Sequence, residues 1–457
     1  MPWRPSAKRT GASLFSSSTI AEAPTGAGFF IQTLGCPKNE ADSDALAGRL
    51  RAAGHREAQP GRADVVVVNT CGFIDAAKEE SVAAILEAVD FAHQRGARVA
   101  AVGCLVERYR DELAAELPEV DLWYGLDTAP LLAALREVCG GGEGAEGRGA
   151  AVPVPRRPRP VTSYLKISDG CDRRCAYCAI PLIKGDYETV AAAEILRSAR
   201  AALAAGAKEL VLVGQDTSRW AQPGWGGLER LLAELKALEP TPIWLRLLYL
   251  QPDGIDEALL EALSRHAVPY VDVPLQHASG AVLRRMRRRG DGARHLDLLA
   301  RVRLALPGAA VRSTFIAGFP GETDEEFDEL LAFVRAAGLA AAGVFPYDAQ
   351  EGTPAAALPG QVPAALAFAR AAQLGEAIDD VAAAFWQALV GRPLDVLIER
   401  GARAGGIAVG RCALQAPDID GRTLVRGVKA RRGQVVRAVA SGSVGYDVEA
   451  DAGSREP

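Results

Sequence analysis

Cys171, Cys175 and Cys178 stand within one short stretch, directly after the apolar segment Tyr164-Leu165-Lys166-Ile167. This Cys-x3-Cys-x2-Cys spacing constrains the chain more than any other feature. Three thiolates this close can hold three irons of a 4Fe–4S cube and leave the fourth iron without a protein ligand. An open iron lets a small molecule chelate it and receive an electron there. A structural zinc ion is the plain alternative, but it calls for four ligands, and no fourth Cys or His lies nearby in the sequence.

Upstream of that stretch the chain alternates between strand and helix. Residues 29–34 read as a strand ending at Gly35-Cys36, and 42–51 as a helix. Residues 64–68 (Asp64, then four valines) read as a buried parallel strand ending at Asn69-Thr70-Cys71. A helix with Val82, Ile85, Leu86 and Val89 on one stripe follows, and a third strand at 98–102 ends at Gly103-Cys104. Cys36, Cys71 and Cys104 therefore each sit just past the carboxyl end of a strand. In a parallel sheet those ends share one edge, so the three thiols are expected to converge as a second cluster site. A buried structural cysteine is the ordinary reading for any one of them. Their shared placement favours metal. Cys139 and Cys412 have no such placement and read as ordinary cysteines.

Eight cysteines in 457 residues do not make a secreted disulfide scaffold, and their grouping points to metal in a reducing cytoplasm. The net charge of −5 does not point to a general nucleic-acid binder, so any such contact must be local. The longest uncharged run, 352–369, is broken by Pro354, Pro359 and Pro363, so no membrane span is expected. Residues 1–27 read as a disordered leader, although the acid-free first 21 superficially resemble a transit peptide. A stretch at 140–160, rich first in Gly and then in Pro, reads as a linker.

Beyond it, strands at 164–167, 209–213, 243–250, 270–275, 311–317 and 342–345 alternate with helices, which implies a complete or partial parallel barrel with its site at the strands' carboxyl ends. Gly214-Gln215-Asp216-Thr217-Ser218, Pro274-Leu275-Gln276-His277-Ala278-Ser279 and Gly318-Phe319-Pro320-Gly321-Glu322-Thr323 lie at those ends. Their glycines would admit close approach of a cofactor. His277 alone reads as structural, and the arginine run at 284–289 as a solvated face. After a helical stretch (364–390), short strands at 394–399, 407–410, 424–428 and 435–440 make a small all-β module. From 392 to 449 this module carries ten Arg and Lys against six Asp and Glu, an excess that would suit RNA or a solvated face.

Taken together, these segments resemble the radical S-adenosylmethionine (SAM) methylthiotransferase family over about residues 28–450. The resemblance implies a multidomain α/β protein. A parallel α/β cluster domain (28–139) would precede a partial (β/α) radical-SAM barrel (161–385) and a small oligonucleotide-binding-like β-barrel, the TRAM module (386–450), with a tail at 451–457. Leu34-Gly35-Cys36-Pro37-Lys38-Asn39, Pro274-Leu275-Gln276-His277-Ala278-Ser279 and Ala416-Pro417-Asp418-Ile419-Asp420-Gly421 resemble the branch that modifies the twelfth protein of the small ribosomal subunit. The transfer-RNA branch carries a different run after its first cysteine. Lys184 stands where the family has Arg, and Glu188-Thr189-Val190 replaces its usual Ser-Arg.

The resemblance implies two 4Fe–4S clusters, one on Cys171, Cys175 and Cys178 and one on Cys36, Cys71 and Cys104. SAM would bind the open iron of the first, with Tyr177, Gln215, Gln276 and Ile316 lining its pocket. A 5′-deoxyadenosyl radical would take hydrogen from the β-carbon of an aspartate. Sulfur held at the second cluster and a methyl group from a second SAM would then give 3-methylthioaspartate. An electron donor and a sulfur donor are implied, with the substrate presented within the ribosomal subunit. Two rivals remain at this point: a transfer-RNA methylthiotransferase acting on a modified adenosine, and a non-catalytic iron–sulfur carrier, which leaves the strand-end turns without a role.

Overall fold

Four consecutive valines decide the first layer. Val65 and Val67 pack into one apolar cluster, with Leu46, Leu50, Leu131 and Leu135; Val66 and Val68 pack into another, with Ile85 and Val89. A strand buried on both faces must lie inside a sheet covered by helices on each side. The computed structural model describes residues 26–140 and 161–452. The expected leader at 1–27, linker at 140–160 and tail at 451–457 lie, but for residues at their edges, outside them. The first domain is one parallel sheet in the order β2-β1-β3-β4-β5. Its strands are β1 (Gly28–Thr33), β2 (Arg56–Glu57), β3 (Val65–Thr70), β4 (Arg98–Gly103) and β5 (Leu122–Trp123), and its helices α1 (Pro37–Ala52), α2 (Asp75–His93), α3 (Cys104–Glu116) and α4 (Ala129–Gly140).

The stripe expected on α2 is shifted. Leu86 is 40% exposed, and the buried face runs through Ser81, Ala84, Ile85, Ala88, Val89 and Ala92. Small alanines fill the space against β3 and β4 that a leucine would overfill.

The second domain runs through β6 (Thr162–Lys166), a short pair β7 (Ser168–Asp169) and β8 (Glu188–Thr189) around α5 (Ile180–Lys184), then α6 (Ala192–Ala205) and β9 (Glu209–Val213). A hairpin of β10 (Ala221–Gln222) and β11 (Gly226–Gly227) precedes α7 (Leu228–Lys236), β12 (Trp244–Leu247), α8 (Glu257–His266) and β13 (Tyr270–Asp272). Helices α9 (Gly280–Arg285) and α10 (Gly292–Ala305), strand β14 (Ala310–Ala317), α11 (Asp324–Ala337), β15 (Ala341–Pro346) and α12 (Ala364–Gln387) complete it. Six strands form two parallel arcs, β6-β9-β12 and β13-β14-β15. Leu250 N–H donates across the join to Asp272 O at 3.0 Å. The result is a partial barrel. The strands expected at 243–250 and 270–275 end early, at Leu247 and Asp272, and left-handed backbone follows at Tyr249 (φ +62°) and Gln276 (φ +70°).

Strands β16 (Pro393–Arg400), β17 (Ala408–Cys412), β18 (Thr423–Arg426), β19 (Val435–Val444) and β20 (Asp447–Ala452) close a separate barrel in the order β16-β17-β18-β20-β19. Strand β20 was not expected; only Val448 and Ala450 are buried in it, too weak an alternation to read from sequence. This module caps the end of the partial barrel opposite the mouth. Arg411 reaches Glu209 at 2.6 Å, Tyr164 OH donates to Asp418 at 3.0 Å, and Tyr270 OH donates to Asp420 at 2.8 Å. Glu209 and Tyr270 are the first residues of their strands. Part of the module's positive excess is thus spent internally: Arg411 is 2% exposed.

Candidate cluster and cofactor site

Each of the first three thiols is placed by a strand end. Cys36 precedes α1 as its N-cap, Cys71 follows β3, and Cys104 opens α3 directly after β4. Adjacent parallel strands carry them to the same edge. Gly35 packs so tightly on Cys71 that an added Cβ would lie 2.8 Å from the Cys71 Cβ, and φ is +89° there. Only glycine admits that approach. Burial pushes the Cys104 thiol up to about 12, with smaller contributions from the Cys71 and Cys36 charges. Burial likewise raises Cys71, and Cys36 adds to the effect. The three therefore share one electrostatic neighbourhood.

Cys171, Cys175 and Cys178 lie on the loop between β7 and α5. Cys171 N–H donates to Gly185 O at 3.0 Å, Cys178 N–H to Cys175 O at 3.1 Å and Ala176 N–H to Met286 O at 3.0 Å, which fixes the loop over the barrel. Burial pushes Cys178 up to about 12 and raises Cys171. All six thiols are free.

The two trios meet. Cys104 packs in one apolar cluster with Ala179 and Ile183, which brings the first domain's third thiol to the start of α5, just after Cys178. Asp42 of α1 takes Lys166 Nζ at 2.5 Å and Lys184 Nζ at 3.1 Å, and Asp169 takes the same two ammoniums at 2.8 and 3.1 Å. On the far side, Arg108 donates to Gln350 at 3.1 Å and Asp75 N–H to Asp348 at 2.9 Å. The first domain thus covers the barrel mouth. A cavity of about 250 Å³ runs along the seam between Cys104, Asn69, Thr128, Asp42 and the two lysines.

The donor chemistry fits iron–sulfur ligation. Six free thiols stand in two groups of three, each group offering a cube three of its four ligands. Among the described residues no three His, Cys, Asp or Glu side chains close on a single ion. Cubane thiolates each take a different iron and so need not converge on one centre.

A SAM pocket finds its polar groups at the strand ends. Gln215 is 9% exposed with both amide atoms lacking partners, and Gln276 leaves its buried Oε1 unpaired. Buried amides without partners are what a ligand's polar groups would satisfy. Tyr177 and Ile316 share an apolar cluster with Met286 and Phe319 beside them. Ile316 N–H donates to Gln276 O at 2.9 Å, joining two of the expected residues directly.

Other motif residues serve the protein itself. A Cβ on Gly318 would lie 2.3 Å from that of Ala367, and one on Gly214 2.3 Å from Ser168 Oγ, so these glycines answer to packing rather than to an approaching cofactor. His277 is fully buried, accepts Ser279 N–H on Nδ1 at 2.9 Å and faces Glu322 at 3.4 Å. Glu322 in turn holds the Gly318 N–H at 3.0 Å and Arg370 at 2.8 Å.

Sequence reasoning missed two sets of residues. The arginine run at 284–289 is only partly a solvated face: Arg288 reaches Cys175 Sγ at 3.8 Å, and Arg285 pairs with Glu326 at 2.6 Å. The Asp42–Lys166–Asp169–Lys184 square carried no motif; the exchange of Arg for Lys at 184 was its one trace.

Residues 28–125 match the family described as uncharacterized protein family UPF0004, 165–334 the radical SAM superfamily and 390–452 the TRAM domain. The chain is 40% identical over 446 residues to the ribosomal protein uS12 methylthiotransferase RimO of Anaeromyxobacter sp. (strain K), covering 94% of each. It is 41% identical to that of Desulforudis audaxviator, over 92% of this chain and 96% of the relative. In fold it is similar to a radical SAM methyltransferase, TsrM, from Kitasatospora setae, with a TM-score of 0.54 at 16% identity over 72% of this chain and 77% of that one. Among the described residues no helix is long and apolar enough to cross a membrane.

Proposed function

The chain belongs to the RimO family of ribosomal protein uS12 methylthiotransferases, and from that premise we propose how its own residues divide the reaction on uS12. It is a radical SAM enzyme with an iron–sulfur cluster and SAM. The observation that supports the division of labour is the apolar cluster that Cys104 shares with Ala179 and Ile183 across the domain seam.

In this reading Cys171, Cys175 and Cys178 hold one 4Fe–4S cluster, and Cys36, Cys71 and Cys104 hold a second that carries the sulfur. A cluster held by Cys171, Cys175 and Cys178 would, with SAM bound, supply the one-electron chemistry that starts hydrogen abstraction from the substrate carbon. Gln215 and Gln276 orient SAM through their unpaired amides, while Tyr177 and Ile316 shelter it from water. The first domain, held by Asp42, Asp75 and Arg108, closes the mouth, which keeps solvent hydrogen donors away and sets sulfur within reach of the same carbon. The target is the β-carbon of a uS12 aspartate, presented free or within the small subunit, and an electron donor and a sulfur donor complete the cycle. The units 28–139, 161–385 and 386–450 are assigned as cluster domain, radical domain and TRAM module.

Anaerobic reconstitution of the wild type and of the Cys36→Ala, Cys71→Ala, Cys104→Ala triple variant tests this. We expect about eight irons per chain falling to about four. Formation of 5′-deoxyadenosine should be retained and the methylthio mass gain on uS12 lost. Sulfur still attached by the triple variant would sink the assignment, and a mass gain on transfer RNA instead of uS12 would sink the substrate.

A further inference from the structure

Between the two thiol trios stands a cation that neither ligand set uses. Lys38 lies on the first turn of α1, two residues after Cys36, and its ammonium sits 3.7 Å from the centre of the Tyr249 ring. Tyr249 belongs to the other domain, just past the carboxyl end of β12. Its ring is a fixed platform: the residue holds left-handed backbone (φ +62°), its N–H donates to Asp272 at 2.9 Å, and its carbonyl accepts Thr217 N–H at 3.2 Å. Lys38 therefore spans the seam at the mouth. Its charge is felt at Cys71 and at Cys178, one thiol from each trio.

The other lysines of this mouth are already neutralised. Lys166 and Lys184 share Asp42 and Asp169. Lys38 is half-buried, and among the described residues no carboxylate pairs with it. A partly desolvated ammonium stacked on an aromatic face, with no counter-ion, is a ready acceptor for an anionic ligand.

We propose that Lys38 binds the side-chain carboxylate of the uS12 aspartate and so sets its β-carbon between the two trios. This rests on the uS12 reading above. The carbon to be modified is bonded directly to that carboxylate, so anchoring the anion leaves the β-carbon one bond from a fixed point. A modified adenine base carries no anion bonded to the carbon to be modified, which makes the same residue a determinant of substrate class. Asparagine in place of the target aspartate removes the charge at nearly constant shape.

The test uses reconstituted wild-type enzyme, Lys38→Met and Lys38→Arg, each titrated with uS12 and with uS12 whose target aspartate is replaced by asparagine. Dissociation constants and iron content are both read. The wild type should prefer the aspartate form by about 10- to 100-fold, the range of a hydrogen bond to a charged group. Lys38→Met should lose that preference while binding the asparagine form as the wild type does, with iron unchanged. Lys38→Arg should keep part of it. A Lys38→Met enzyme that retains the full preference overturns the assignment. So does one that loses iron and weakens equally toward both forms, which would make Lys38 a cluster residue. A wild type that modifies uS12 without any aspartate preference overturns the Lys38 role alone; one that neither binds nor modifies uS12 overturns the substrate reading and this inference together.

Discussion

Asp42→Asn perturbs the seam with little change in shape. Asp42 and Asp169 together neutralise Lys166 and Lys184, and the Lys184 side chain is 2% exposed. Burial works against the Lys184 charge; Asp42, then Asp169, overcomes it and holds its pKa above the ordinary lysine value. Neutralising Asp42 leaves two ammoniums on one carboxylate. Losing one member of a buried pair costs about 3–5 kcal/mol. Here Asp42 retains 25% exposure and Asp169 remains, so roughly half of that, ~2 kcal/mol, is the appropriate figure. The remaining polar ties across the seam, the Lys38–Tyr249 contact and the hydrogen bonds through Arg108 and Asp75, are worth about 1 kcal/mol each. A loss of ~2 kcal/mol is roughly 30-fold in the docking equilibrium of the first domain. Formation of 5′-deoxyadenosine needs only the barrel and should stay within about twofold of wild type. Methylthiolated uS12 per 5′-deoxyadenosine should fall about tenfold or more, and amide exchange in the first turns of α1 and α5 should quicken. If neither the ratio nor the exchange changes, the square does not hold the seam.

Two further outcomes follow from buried contacts away from the chemistry. Glu209→Gln strands Arg246, whose side chain is 0% exposed, and leaves Arg411 with Glu399 alone, and should destabilise by about 3–5 kcal/mol. Thermal unfolding followed by circular dichroism measures it; an unchanged transition would refute the buried pairing. Burial alone would raise the Glu209 pKa, but Arg246 and Arg411 hold it down at about 2, below its ordinary 4.5. A depressed carboxylate stabilises fully above its unfolded pKa, so wild-type stability should decline as pH falls from about 4.5 toward 2, and the variant should lack that component. Gly318→Ala forces a Cβ against Ala367 at a φ of +75° and should cost about 1–3 kcal/mol through α12 packing. Iron content should stay at the wild-type level; a drop would mean the turn touches the cluster.

What could be read in sequence was whatever depends on short spacing or on period. The Cys171–Cys175–Cys178 stretch needs only local geometry to present three thiols. The four valines of β3, buried on both faces, specify a covered parallel strand wherever it lies. From parallel strands it follows that Cys36, Cys71 and Cys104 share an edge, because strands that run the same way end on the same side of the sheet. Distances along the chain say nothing, however, about which surface of one domain meets another. Asp42 and Lys184 are far apart in sequence, as are Tyr270 and Asp420, and neither pair has a periodic signature. The fate of Arg288 was hidden for a related reason: charges in a run look alike until the turn after α9, left-handed at Arg287, aims one toward Cys175 and leaves others in water. Side-chain neutralisation across an interface is decided by which charges lose their water together, and only the assembled domains determine that.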